Sequence, residues 1–325
     1  MPNQSMVSSG SNKPKLPAWL QLQIATNSII FRRSRSQKTE KVVILPLNNR
    51  VVKHDVAANE IAAMRFVRDN TTIPVPQLVD VYDDGQADGS ASIVMTLVSG
   101  DDLDKVLHTL SDEHIAAIAE ELAGYVTQLR QLDTDKDVAP DGSRHGPTEV
   151  GGAGGTPGHD GMLSDGPWGP FDSVSRFHTY MRYELPLENW ENESLVVQVH
   201  GKTEGAYRLT FTHADLTPRN IRVKNGKITG IIDWQFAGWY PEYWEYVKLQ
   251  TTLHTSNSPS TVKWLRAVNK AFQKYELEDE ASKRIFEKGG ISPDGERDRC
   301  AKMLSRRGIE LAGSSSLPFL SFGFQ

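Results

Sequence analysis

The hydrophobic pattern of the chain is clearest over residues 111–132. Apolar side chains recur there every three or four residues and fall on one helical face: Ile115, Ile118, Leu122, Val126, Leu129 and Leu132. The opposite face carries Glu120, Glu121 and Arg130. This spacing predicts an amphipathic helix whose apolar face packs against a core.

A two-stranded hairpin is predicted farther along the chain. Two short β-prone runs, 221–224 and 227–232, are separated by Asn-Gly, the dipeptide that most strongly favours a two-residue turn. Counting back from such a turn pairs Asn220 with Ile231. Asp233 then lies about 7 Å farther along the strand.

Polar side chains gather at the open end of this hairpin. Residues 213–220 read His-Ala-Asp-Leu-Thr-Pro-Arg-Asn, which puts Asp215 on the loop that leads into the first strand. Asn220 and Asp233 converge on the same end. Because Mg²⁺ prefers carboxylate and amide oxygens, the pattern predicts a magnesium site formed by Asn220 and Asp233.

An upstream strand and helix form a second unit of the pattern. Val51-Val52-Lys53 is predicted to end a strand, and apolar residues at helical spacing follow it at Ala57, Ile61, Met64 and Val67. Asp55 is predicted to cap this helix, which also carries Glu60.

Glycine and proline dominate residues 133–171, which are predicted to form a loop outside the core. The aromatic residues within 239–244 are predicted to pack in the core rather than to contact a substrate.

The loop 213–220, together with Asp233, resembles the catalytic segments of kinases. In kinases the aspartate of His-x-Asp-Leu-x-x-x-Asn accepts the proton of the substrate hydroxyl, while the asparagine and a later aspartate hold magnesium. The chain as a whole is similar to the aminoglycoside phosphotransferase and choline kinase-like family, in the form common in fungal genomes. The resemblance covers about residues 40 to 250 and rests on the segments 52–53, 60–67, 72–76, 95–100, 213–220, 232–234 and 239–245.

This resemblance implies an α+β, protein kinase-like fold with two lobes. A small β-rich N-terminal lobe would span residues 18–98, and a mostly helical C-terminal lobe would span residues 99–325. Residues 1–17 are expected to be disordered because they offer almost nothing to bury.

The resemblance also implies a set of roles for an ATP- and Mg²⁺-dependent phosphotransferase that acts on a small-molecule hydroxyl. Asp215 would be the base, and Asn220 and Asp233 the metal ligands. Lys53 would bind the ATP phosphates and form an ion pair with Glu60. The backbone of Thr96, Leu97 and Val98 would bind the adenine as the hinge between the lobes.

Two departures from protein kinases shape the functional alternatives. Asp-Trp-Gln at residues 233–235 replaces Asp-Phe-Gly, and no Ala-Pro-Glu segment follows, so a small-molecule kinase is favoured over a protein kinase. No glycine lies between Ile29 and Lys53, so the usual glycine-rich phosphate loop is missing, and the alternative is a catalytically degenerate protein that binds nucleotide or a partner. The acceptor stays open among aminoglycoside, choline, sugar and amino-acid hydroxyls.

Composition sets the broad class. The 325 residues carry a net charge of −5, which argues against a nucleic-acid partner. A single cysteine, Cys300, excludes an internal disulfide and fits a reducing, cytoplasmic location. No apolar run is long enough to cross a membrane. The sequence gives no indication of oligomeric state.

Overall fold

The computed structural model describes residues 13–26, 29–35, 38–83, 90–132, 150–164, 166–253 and 258–288. Its helices are Ala18–Thr26 (α1), Ala58–Asn70 (α2), Leu103–Val106 (α3), Asp112–Arg130 (α4), Val174–Met181 (α5), Ser194–His200 (α6), Trp244–Leu253 (α7), Pro259–Ala271 (α8) and Glu276–Lys288 (α9). Its strands are Ile29–Arg35 (β1), Lys38–Leu45 (β2), Arg50–Val56 (β3), Leu78–Asp83 (β4), Ala91–Thr96 (β5), Asp101–Asp102 (β6), Gly151–Gly152 (β7), Leu209–Thr212 (β8), Ile221–Lys224 (β9), Lys227–Ile231 (β10) and Gly238–Pro241 (β11). Within these ranges no helix has the length and apolar character needed to cross a membrane.

A five-stranded antiparallel sheet in the order β1-β2-β3-β5-β4 forms the N-terminal lobe. On one side, Val52 and Val94 pack with Leu20 of α1 in a small core. Because side chains alternate along a strand, Lys53 points to the other side, where its backbone partner is Ile93 of the main core. Helix α2 covers that side, so Lys53 lies between the sheet and the helix.

Part of the segment predicted to be disordered lies along this sheet. Lys15 forms a bridge with Asp83 of β4, and the Asp83 amide donates to the Pro14 carbonyl. The segment 13–17 is therefore placed by backbone hydrogen bonds, which composition does not reveal. Residues 1–12 lie outside the described part of the chain.

Helix α2 starts later than its sequence indicates. Its N-cap is Ala57, which offers no capping side chain, and not Asp55. An irregularity in the β3–β5 pairing falls between Lys53 and Val56, and Asp55 there adopts a φ of 58°. The predicted cap is wrong because Asp55 belongs to the distorted end of β3, and the helix begins only after Ala57.

The β9–β10 hairpin has the predicted turn but a different register. The pairing shifts between Ile228 and Gly230, so that Ile231 lies opposite Ile221 and not opposite Asn220. The Ile232 amide instead donates to the Asn220 carbonyl over 2.9 Å. The predicted pair is thus wrong by one residue, because a bulged residue adds to one strand without adding to its partner.

Helix α4 confirms the clearest element of the sequence pattern. Ser111 is its N-cap, and its hydroxyl accepts a hydrogen bond from the His114 amide. The predicted apolar face is buried in the main core, which also contains Phe66 of α2 and Trp264 of α8. This core joins the N-terminal sheet and α2 to the C-terminal helices.

The glycine-rich segment is part of the core from residue 150 onward, contrary to expectation. Strand β7 pairs with β11, which pairs in turn with β8. Val150 and Ala153 are fully buried, and Trp168 is nearly so. Glycines are required here by close backbone contact, not by flexibility: a Cβ on Gly238 would lie 2.2 Å from the Gly151 carbonyl oxygen. The remainder of the predicted loop, residues 133–149, and Asp165 lie outside the described residues.

Two stacked histidines are buried in the C-terminal lobe. The rings of His178 and His200 lie 3.9 Å apart at an interplanar angle of 7°. Arg182 donates to His200 Nδ1 over 3.0 Å, and His178 Nε2 lies 2.8 Å from the Tyr243 hydroxyl. Burial, followed by the charges of Arg182 and Lys202, lowers the pKa of His178 to about 3. The pKa of His200 also lies well below its ordinary value, chiefly because of burial.

We expect these histidines to make the fold sensitive to acid. Below pH 6.5, the ordinary value, unfolded His178 takes up a proton that the folded protein excludes down to about pH 3. The free energy of unfolding should therefore fall as the pH is lowered through this window, by about 1.4 kcal/mol per pH unit for each such group. His178→Phe should reduce proton uptake on unfolding by about one, measured from urea unfolding curves at several pH values. Tyr243→Phe is the control, because it removes the hydrogen bond but keeps the histidine; an unchanged pH dependence in His178→Phe would contradict the assignment.

Candidate active site

A buried ammonium group joins three of the predicted site residues. Lys53 Nζ donates to both carboxylate oxygens of Glu60, over 2.9 and 2.8 Å, and to Asp233 Oδ1 over 3.0 Å. Each of the three side chains is at most 5% exposed. Glu60 lies only seven residues from Lys53, but Asp233 lies 180 residues away, so the fold creates this cluster.

The charge balance of this cluster bears on what it can bind. Two carboxylates face one ammonium, and a buried charge is costly to leave uncompensated. Such a cluster suits a divalent cation bound together with an anionic ligand such as a polyphosphate.

Asp215 is held by its neighbours in the loop 213–220. Arg219 donates through one nitrogen to both carboxylate oxygens, over 2.8 and 3.2 Å. The side-chain nitrogen Nδ2 of Asn220 donates to Asp215 Oδ2 over 2.7 Å and to the Asp215 backbone carbonyl over 2.8 Å. Because its nitrogen is turned toward Asp215, the side-chain oxygen of Asn220 is the atom that it can offer to a cation. The sequence identified Asp215 and Asn220 but missed Arg219.

The side-chain carboxylate of Glu245 in α7 anchors the loop 213–220. Its Oε2 accepts from the amides of His213 and Ala214, over 2.8 and 3.2 Å. Ala214 has a φ of 62°, in the left-handed region that an alanine rarely adopts. Burial raises the pKa of Glu245 to about 7, even though the two amide donors act in the opposite direction. The segment 239–245 contributes to the family resemblance, but the sequence does not show that Glu245 is the residue that binds the loop amides.

His213 connects the loop 213–220 to the end of the hairpin. It is fully buried, its Nδ1 accepts from the Asp215 amide over 3.2 Å, and its Nε2 lies 3.2 Å from the Ile232 carbonyl. These contacts assign the neutral tautomer with the proton on Nε2. The ring thus ties the loop to the end of the hairpin.

Asp233 is oriented by local backbone and by its neighbour. Its φ is 70°, again in the left-handed region. Trp234 is fully buried, donates to the Ile231 carbonyl over 3.0 Å and lies with its ring 4.5 Å from that of His213. The tryptophan therefore fixes the turn that directs Asp233 toward Lys53.

The predicted hinge has one backbone amide available. The Thr96 amide donates to the Gln77 carbonyl over 3.0 Å, and the Leu97 amide donates to the Asn49 carbonyl over 3.1 Å. For the Val98 amide, the described residues provide no hydrogen-bond partner. If this segment binds an adenine, Val98 is the donor that the geometry favours.

A model of the phosphotransferase enzyme family matches residues 23–284. A search of curated protein sequences gave no match.

Two solved structures illustrate the fold. A ternary complex of a thermostable mutant of aminoglycoside phosphotransferase APH(4)-Ia with ADP and hygromycin B has a TM-score of 0.56 at 14% identity, covering 92% of this chain and 98% of that one. The GDP and kanamycin complex of APH(2")-IIIa has a TM-score of 0.52 at 15% identity, covering 88% of this chain and 93% of that one. At such low identity the likeness concerns the fold alone, and it confirms the expected α+β, two-lobed, kinase-like architecture. Because the family model extends over most of the sequence, the chain belongs to the phosphotransferase enzyme family.

Proposed function

We propose that the protein is an ATP- and Mg²⁺-dependent phosphotransferase that acts on a hydroxyl group of a small molecule. The observation that carries the proposal is the buried contact of Lys53 with both Glu60 and Asp233. A kinase needs a cation fixed at the phosphates and a carboxylate beside it for the metal. A catalytically degenerate protein has no need to keep this costly buried arrangement.

Lys53 is proposed to bind the ATP phosphates. Its ammonium is held between two carboxylates, so little reorganisation is needed when a phosphate arrives, and Glu60 keeps the lysine in place. Fixed charges of this kind stabilise the charge that develops during transfer. The Val98 amide is proposed to bind the adenine.

The donor set fits Mg²⁺. Asp233 supplies a carboxylate and Asn220 a side-chain oxygen, and both are hard ligands that leave room for phosphate oxygens and water. Bound magnesium would neutralise charge on the phosphates during transfer. Asp233 orients toward Lys53, and Asn220 stays turned by its contacts with Asp215.

Asp215 is proposed to orient the acceptor hydroxyl and accept its proton. Asn220 fixes one carboxylate oxygen, which aims the group. Arg219, a partly exposed side chain, contacts both oxygens, so an acceptor hydroxyl must share Asp215 with this guanidinium or displace it. A cytoplasmic location is part of the proposal, in keeping with the single cysteine.

The first functional prediction concerns the metal. Asp233→Asn keeps an oxygen for Lys53 but removes a charged ligand, and it should abolish the Mg²⁺-dependent part of ATP binding while leaving the fold intact. Thermal shifts with ATP, measured with and without Mg²⁺, report this difference. Asp160→Asn is the matched control, because Asp160 is a buried carboxylate paired with Lys248 elsewhere in the lobe. A normal Mg²⁺ effect in Asp233→Asn would remove Asp233 from the metal site.

The second concerns the phosphate-binding lysine. Lys53→Met should weaken ATP binding or turnover on the order of a hundredfold, since fixed charge stabilisers have effects of that size. Lys248→Met also removes a buried lysine from a carboxylate and serves as the control for lost stability. Calorimetric titration with Mg·ATP measures the effect. Equal ATP affinity together with equal turnover in the two variants would argue against the assigned role.

The third tests the reaction itself. Wild-type protein and Asp215→Asn are incubated with Mg·ATP and pooled hydroxyl compounds, aminoglycosides, choline, sugars and hydroxy amino acids among them, and products are screened for the mass gain of one phosphate. The wild type should phosphorylate at least one class, and Asp215→Asn should be slower by about 10² to 10⁴ while ATP affinity stays close to normal. Wild-type protein that binds Mg·ATP but is no faster than Asp215→Asn on every compound would favour the catalytically degenerate alternative.

A further inference from the structure

Helix α2 is attached to the C-terminal lobe along one face. Asn59 and Phe66 are seven residues apart, which places them on the same side of the helix about two turns from each other. Phe66 packs on Phe211 and Trp239, with ring centroids 5.1 and 6.0 Å away. Both aromatic partners belong to the C-terminal sheet formed by β7, β11 and β8.

Asn59 forms the second attachment, at the end of the helix that carries Glu60. Its side chain is buried, at 1% exposure for the residue. The Oδ1 atom accepts from the Ala153 amide over 2.6 Å, and Nδ2 donates to the Gln235 carbonyl over 2.8 Å. Gln235 comes two residues after Asp233, so one carboxamide links the helix to the metal-binding segment and to β7.

The partner of Asn59 is a closed turn over residues 151–156, termed here the glycine turn. The Gly152 amide donates to the Thr156 carbonyl over 2.8 Å, and the Thr156 hydroxyl donates to the Ala153 carbonyl over 2.9 Å. A Cβ on Gly152 would lie 2.6 Å from Asn59 Oδ1, so only glycine lets the turn come this close. The turn extends β7, whose pairing with β11 fixes it to the lobe.

We propose that Asn59 is a positioning residue through which the glycine turn holds helix α2 so that Glu60 stays against Lys53. Asn59 acts through Glu60 and touches neither nucleotide nor acceptor. The helix is therefore set by the C-terminal lobe before nucleotide binds. The inference rests on the proposed function only for its catalytic consequence, because the attachment itself exists without nucleotide.

The attachment can be tested in the protein without nucleotide. Acetylation of Lys53 by a small amine-reactive ester is followed by mass spectrometry, with Lys248 as an internal reference because it too is buried against a carboxylate. Asn59→Ala should increase the Lys53 labelling rate about tenfold, the factor expected from a buried hydrogen bond worth about 1.4 kcal/mol. Glu60→Gln should do the same, and Lys248 should stay slow. Asn70→Ala is the matched control, since the Asn70 amide donates within α2 to the Phe66 carbonyl.

Two variants distinguish positioning from general stability. Asn59→Leu keeps the branched shape of the side chain without its hydrogen bonds, should raise the Lys53 labelling rate as Asn59→Ala does, and replaces Asn59→Ala if that variant does not fold. In Asn59→Ala combined with Glu60→Gln, Lys53 labelling should be no faster than in Glu60→Gln alone, because Asn59 acts through Glu60. Unchanged Lys53 labelling in Asn59→Ala, or a parallel rise for Lys53 and Lys248, would overturn the inference.

The catalytic consequence is measured separately. Asn59→Ala should weaken Mg·ATP binding severalfold in wild-type background and have no further effect in Glu60→Gln. If the wild type bound no Mg·ATP, the proposed function would fail while the labelling result would still decide the role of Asn59.

Discussion

The ammonium group of Lys53 joins strand β3, helix α2 and the segment that follows β10. It lies in the interior, where a charge is tolerated only when opposite charges surround it. Glu60 and Asp233 meet that requirement, and in doing so they fix the two lobes relative to each other at the site. Removal of Lys53 would leave two buried carboxylates without their shared cation, so the geometry of the site and the stability of the interface depend on the same contacts.

The loop 213–220 and the segment at Asp233 show how the surrounding structure maintains an unfavourable local conformation. Ala214 and Asp233 both have left-handed backbone angles, which cost about 1 to 3 kcal/mol each for residues other than glycine. Glu245 compensates for this cost because its carboxylate accepts hydrogen bonds from two backbone amides of the loop. Its own burial is costly enough to raise its pKa to about 7. Trp234 closes the other side with its ring and its indole hydrogen bond. Two of the residues with left-handed backbone angles thus lie where the proposed chemistry takes place.

The sequence by itself determined the elements that depend on local periodicity and on short motifs. The apolar face of α4, a strand containing Lys53 and the Asn-Gly turn of the hairpin follow from patterns within a few residues of one another, although that strand runs on to Val56 and does not end at Lys53. The same holds for the spacing of Asp215 and Asn220 in one loop. The resemblance of several sequence segments to a known family indicated the fold class, which the comparison of structures confirms.

Only the tertiary structure decided the features that depend on contacts between distant segments. The bulge in β10 and the late start of α2 arise from how strands meet their partners, and the glycine-rich segment is buried because β11 can approach it closely only where side chains are absent. Arg219, Glu245 and Asn59 gained their roles in the same way. Each is an ordinary polar residue in the sequence, and its partner is defined only after folding has excluded water and brought that partner within hydrogen-bond distance.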